Sequence, residues 1–199
     1  MKIIGRGYWY RVYDLGNGRV LKSEKNFLHK AYDTFNFEGI RPSVYFKLIT
    51  KNWRIALIYK RLKGQIDLTL IGAPIFLAGI DYEQDKVEIL ENILKRSSEA
   101  ENQKIIDMYI ENIMECWRNG FSDEVYNFTI NSGLDTFGKM ILIDFNEVTF
   151  SKEDVLRSIN SKRWLKSWSL GQIDSNLKSY YVEQMERKIT SNSLEKNWT

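Results

Sequence analysis

The chain has 199 residues, 43% apolar and 28% charged, which suits one globular domain or one compact domain of two lobes. A single cysteine, Cys116, and a single histidine, His29, exclude an intrachain disulfide, a Cys/His zinc cluster and any histidine-based catalytic pair that does not use His29. The formal charge of +3 suits an anionic ligand such as a nucleotide but is too small to imply nucleic acid.

From the N-terminus, Met1–Gly5 carries no secretory apolar region, and the most apolar run, Leu68–Ile80, is short and interrupted by Pro74. A soluble, cytoplasmic protein in a reducing compartment is the expectation. Tyr8–Tyr13 is β-favouring, Gly16-Asn17-Gly18 tolerates a tight turn, and Arg19–Lys22 resumes as a strand, so a hairpin is predicted. A helix follows, with Phe27, Leu28, Ala31, Tyr32 and Phe35 on one face and His29 as a surface residue. Between Ser43 and Gly64, Val44-Tyr45-Phe46 and Ile55–Tyr59 fit either strands or pieces of helix. Gly72-Ala73-Pro74 is a break, and Ile75–Leu77 with Ile80–Val87 reads as a pair of short strands.

A long amphipathic helix is predicted over Ala100–Arg118, with Cys116 a small buried residue in it and Asn119-Gly120 its stop. Phe128–Ile130 and Met140–Ile143 read as strands joined by the polar segment Asn131–Gly138. Ser151 and Asp154 resemble a capping box, and Leu177–Lys188 describes a late amphipathic helix. The order of elements, without βαβ alternation, makes the fold α+β.

Four features carry chemistry. Gly5-Arg6-Gly7-Tyr8-Trp9-Tyr10-Arg11-Val12 places two glycines where backbone amides can approach phosphate oxygens without a Cβ in the way. Lys22 ends the next strand as a compact cation suited to phosphates. Asp123 and Asn127 lie in the loop after the long helix; the first can take or orient a hydroxyl proton, the second can offer a neutral oxygen. Asp144 ends the apolar run Ile141-Leu142-Ile143 and needs a partner there, either the next turn that it caps or Mg²⁺ with phosphate oxygens.

In this order the chain resembles the protein-kinase-like superfamily, in its compact bacterial form with a reduced C-terminal lobe. The resemblance spans most of residues 3–150. It implies a two-lobe fold with a small β-rich N-lobe over 1–80, a hinge over 81–88 and a mostly helical C-lobe over 89–199. It implies ATP and Mg²⁺ as cofactors and transfer of phosphate to a hydroxyl on an unidentified small-molecule or protein acceptor. By similarity Gly5, Gly7 and Val12 cover the nucleotide, Lys22 pairs with the α/β-phosphates, and Gln84 and Lys86 sit in the adenine-reading hinge Tyr82–Val87. The strand-like Ile58–Leu62 is the second choice for that hinge. Asp123 is the catalytic carboxylate, and Asn127 and Asp144 hold the metal.

The chain also departs from the family pattern. Tyr10 stands in place of the third loop glycine, Asp123 and Asn127 are one residue closer than usual, and Gly120-Phe121-Ser122 replaces His-Arg before Asp123. Asn146 follows Asp144-Phe145 where glycine is expected. Glu38 is preferred over Glu24 as acidic partner for Lys22, and no A-P-E-like end of an activation segment is visible. These departures keep a catalytically degenerate pseudokinase or scaffolding module as the alternative. A third class is a basic nucleic-acid-binding protein using Lys162–Trp168. For that segment the stronger expectation is a buried helical face of Trp164, Leu165 and Trp168 with solvated lysines outside.

Overall fold

The computed structural model describes residues 1–6, 9–38, 55–64, 66–77 and 79–199, the side chains at 6, 27, 33–34 and 36–38 being left out. The architecture is α+β, with small antiparallel sheets and several helices. The chain divides into two compact units: Met1–Leu68 with Gly72–Lys86, and Thr69–Ile71 with Val87–Thr199. No helix among the described residues is long and apolar enough to cross a membrane.

The first unit holds β1 (Lys2–Arg6), β2 (Tyr10–Asp14), β3 (Arg19–Glu24), β4 (Ile75–Phe76) and β5 (Tyr82–Asp85), in the antiparallel order β1-β2-β3-β5-β4. The β2–β3 hairpin turns at Gly16 and Gly18, both at φ 78°, where a Cβ would be strained. Asp14 and Asn17 brace it by accepting from the amides of Gly16 and Arg19. The break at Gly72-Ala73-Pro74 is real, with φ of 72° and 43° at its first two residues. Beyond it the expected short strands pair as β4 and β5.

Helix α1 (Phe27–Glu38) forms where expected, but its apolar stripe faces outward, because Leu28, Tyr32 and Phe35 are exposed. Lys30 is buried instead; Glu24 satisfies its charge and the Trp9 ring lies 5.5 Å from its ammonium. A second helix, α2, runs over 55–64, so Ile58–Leu62 is not a strand and not a hinge. Ile55, Ile58, Tyr59 and Leu62 are its buried residues, at the i, i+3, i+4, i+7 spacing of one helical face. Tyr59 packs this helix on the sheet, 4.2 Å from Phe76 and 5.6 Å edge-on to Tyr82. The residues Val44-Tyr45-Phe46, and Gly7 and Tyr8 of the glycine loop, lie outside the described residues.

The second unit contains β6 (Glu88–Ile89), α3 (Leu90–Arg96), α4 (Glu99–Arg118), β7 (Ser122–Asp123), α5 (Phe128–Asn131), β8 (Ser132–Leu134), β9 (Met140–Leu142) and β10 (Val148–Thr149), then α6 (Lys152–Asn160), α7 (Ser175–Lys188) and α8 (Ser191–Asn197). A capping box of Ser98 and Glu101 starts α4, and Gly120 at φ 71° turns the chain after it. Cys116 is buried in α4, and burial raises its thiol pKa, so it stays protonated and inert. Ser151 caps α6 by accepting from the Asp154 amide, but the reciprocal half of the expected capping box is missing, because the Ser151 amide donates to Thr149 Oγ1.

Phe128–Ile130 is not a strand but the single turn of α5. Packing overrides its β-favouring composition, since Phe128 is fully buried and stacked 4.8 Å from Tyr181. The segment around Trp164 also differs from expectation. It forms two 3-10 turns, Arg163–Lys166 and Trp168–Gly171, in which Trp164 is buried while Leu165 and Trp168 are 44% and 51% exposed.

The β6–β8 pairing leaves no room for a side chain at Gly133. A Cβ there would stand 2.5 Å from the Glu88 carbonyl oxygen and 2.6 Å from Val87 Cγ2. Gly133→Ala should therefore cost about 1–3 kcal/mol, read as a lowered urea midpoint, whereas Gly171→Ala, with open space around it, should change little.

Candidate functional site

In the first unit, register sets the chemistry. Gly5 pairs with Val12, Val12 with Lys22, and Lys22 with Tyr82, so these four form one row across the sheet on the same face. The row gives Lys22 a defined direction, its ammonium 5.4 Å over the Tyr82 ring. Gln84 is buried in β5 opposite Val20. The Lys86 amide donates to the Gly18 carbonyl at 2.9 Å, and its ammonium meets Asp14 at 2.6 Å. Of the acidic partners considered for Lys22, Glu24 binds Lys30, and the Glu38 side chain lies outside the described residues.

In the second unit, the turn at Gly120 feeds Phe121, fully buried, into β7, which pairs with β10 so that Asp123 faces Val148. Asp123 is 7% exposed, and its two oxygens accept from the amides of Val125 at 3.0 Å and Tyr126 at 3.1 Å. Burial, aided by the charges of Glu147 and Asp144, pushes its pKa up to about 7, against the lowering effect of those two amides. A carboxylate tuned this way can exchange a proton near neutrality. Tyr126, the donor of the second amide, sits at φ 56°, a left-handed conformation that costs a non-glycine residue about 1–2 kcal/mol. Such strain often marks a functional loop.

Asp144 caps the 3-10 turn Phe145–Glu147. Its Oδ1 accepts from the Asn146 amide at 3.4 Å and from the Asn146 side-chain Nδ2 at 3.0 Å. Among the described residues its Oδ2 has no hydrogen bond, so the cap and an open carboxylate oxygen coexist on one side chain. Asn127 points elsewhere: its Oδ1 accepts from Ser167 Oγ at 3.0 Å and from the Trp168 amide at 3.1 Å.

Three residues to which the sequence assigned no role belong to this region. Asn146 orients Asp144 through the two bonds just described. Glu147 adds to the negative field at Asp123. Asn131 is a buried residue whose side-chain Nδ2 has no partner among the described residues, and its backbone carbonyl accepts from the Ile143 amide at 2.8 Å, next to Asp144. Asn131 ends α5 just before β8, whose partner β9 leads to Asp144.

No family model matches the chain, and no curated protein does. Among solved structures, the chain is similar to the Rv3197–erythromycin complex from Mycobacterium tuberculosis, at 14% identity and a TM-score of 0.46. The match covers 94% of this chain and 54% of the other, so the chain spans about half the length of that protein.

The raised pKa of Asp123 has a signed consequence. Between its ordinary value of 3.8 and about 7, the folded protein keeps a proton that the unfolded chain releases. Stability therefore falls as pH rises through that window, by up to about 4 kcal/mol from this group. Urea midpoints between pH 5 and pH 8 should show the slope, and Asp123→Asn should flatten it.

Proposed function

We propose that the chain is an ATP- and Mg²⁺-dependent phosphotransferase of protein-kinase-like, two-lobe fold, acting on a hydroxyl acceptor. The observation that carries this reading is Asp144. Asn146 fixes one of its oxygens by two bonds and the other is open, as a metal-binding carboxylate at the end of a strand requires. Asp123 follows the long helix and titrates near neutrality, which suits it to accept or orient the acceptor's proton. Lys22, in register with Gly5 and Val12, supplies a positioned cation for phosphate oxygens.

The donor set fits Mg²⁺, which typically takes one or two protein oxygens and fills its shell with phosphate and water. Asp144 is the first of these. Asn127 already serves two donors, so in this reading it holds the loop, and phosphate and water oxygens complete the shell. Bound Mg²⁺ would neutralise developing charge on the transferred phosphoryl group. With the Lys86 amide committed to Gly18, the adenine edge would meet this residue at its carbonyl.

A second reading, a nucleotide-binding module without turnover, is favoured by Asp123 itself. Both of its oxygens are engaged by backbone amides, and it is nearly fully buried. The two readings separate on one substitution. In the enzyme, Asp123→Asn abolishes phosphate transfer and leaves ATP binding; in the module, there is no transfer to lose.

ATP should raise the melting temperature more with Mg²⁺ than without it. Lys22→Ala should weaken both shifts, and Asp144→Ala should remove only the increment due to metal. Asn127→Ala should lower the melting temperature of the free protein while leaving that increment in place. No shift with ATP under either condition, together with no transfer or hydrolysis, would sink the proposal.

A further inference from the structure

The segment Ser161–Ile173 carries Lys162, Arg163 and Lys166 and no acidic residue. Its tryptophans are divided: Trp164 is 1% exposed and meets Tyr126 edge-on at 6.1 Å, whereas Trp168 is 51% exposed. Leu165, Arg163 and Lys166 are also exposed, and Lys162 alone of the three cations is paired, with Glu186 at 2.5 Å. In the 3-10 turn Arg163–Lys166, residues three apart eclipse one another, so Arg163 and Lys166 share a side.

This surface is held rigidly. Ser167 Oγ shares its one proton between the Tyr126 carbonyl at 2.6 Å and Asn127 Oδ1 at 3.0 Å, the Trp168 amide donates to Asn127, and Ser169 Oγ bonds both the amide and the hydroxyl of Thr129. The backbone on both sides of Trp168 is thus fixed while its ring faces solvent. An exposed aromatic on an anchored turn and two exposed cations thus lie within six residues of one another, with no carboxylate between them.

We propose that the turn Arg163–Trp168 is a contact surface for single-stranded nucleic acid, with a base stacking on Trp168 and the adjoining phosphates meeting Arg163 and Lys166. Stacking on an exposed ring combined with cations along the backbone is the common physical basis of sequence-tolerant single-strand binding. An open surface suits an extended polymer, whereas a small ligand favours an enclosing pocket. Bases in a duplex are already stacked on one another, so the ring offers them less. This role goes beyond phosphate transfer and does not depend on it.

The test is fluorescence anisotropy of the full chain with a labelled uridine oligomer, a duplex of equal length and heparin. The single strand should bind, should weaken between about 50 and 200 mM salt, and should outcompete the duplex. Trp168→Ala should reduce affinity on the order of tenfold and Trp168→Phe should keep most of it. Arg163→Ala with Lys166→Ala should flatten the salt dependence. Melting curves check that each variant folds, and the arginine–lysine pair carries the test if Trp168→Ala does not. Absence of binding at low salt would overturn the proposal. So would equal affinity for heparin and the oligomer, or wild-type affinity in the variants.

Discussion

Two residues of antiparallel pairing organise the second unit. Ser122–Asp123 lies against Val148–Thr149, reinforced by the Glu124 amide donating to the Glu147 carbonyl at 2.8 Å. That closure fixes both ends of the stretch containing α5, the β8–β9 hairpin and the 3-10 turn headed by Asp144. It also forces Asp123 into a buried position, where the amides of Val125 and Tyr126 are its compensation and the negative charges of Glu147 and Asp144 work against its ionisation. Without the pairing, Asp123 would be an ordinary solvated carboxylate, and Tyr126 would have no reason to hold a left-handed backbone.

Between Asp123 and Glu147 three asparagines do different work. Asn127 is a clasp, carrying Ser167 and the Trp168 backbone. Asn131 joins α5 to β8, and its backbone carbonyl accepts from the Ile143 amide before Asp144. Asn146 holds one oxygen of Asp144 and leaves the other open. Two asparagine side chains therefore clasp the loop and orient Asp144, while the link to the neighbouring strand is made by backbone.

Much of this was legible in the sequence, for local reasons. The Gly16-Asn17-Gly18 turn, α4 with its Gly120 stop, the Ser151 cap and β9 follow from turn chemistry, capping and periodicity, which act over a few residues. The misread elements depended on distant partners. Phe128 reads as strand until Tyr181 stacks on it, and the outward stripe of α1 follows from Lys30 finding Glu24 and Trp9. Trp168 reads as buried because its spacing is helical; a 3-10 turn breaks that spacing and turns the ring outward. Within the candidate site, Asp123 and Asp144 were visible from their positions after a long helix and at the end of an apolar strand. The occupation of Asn127 was not visible, because its donors lie in a segment far along the chain.

The claim on which the account turns is that Asp144 binds a divalent cation together with a nucleotide. Electron paramagnetic resonance of free Mn²⁺ reads this directly. Protein alone should leave the free-ion signal unchanged, protein with a non-hydrolysable ATP analogue should reduce it beyond what the analogue does by itself, and Asp144→Ala should abolish that extra loss. A signal that the wild type and Asp144→Ala reduce equally in the presence of the analogue would contradict the account.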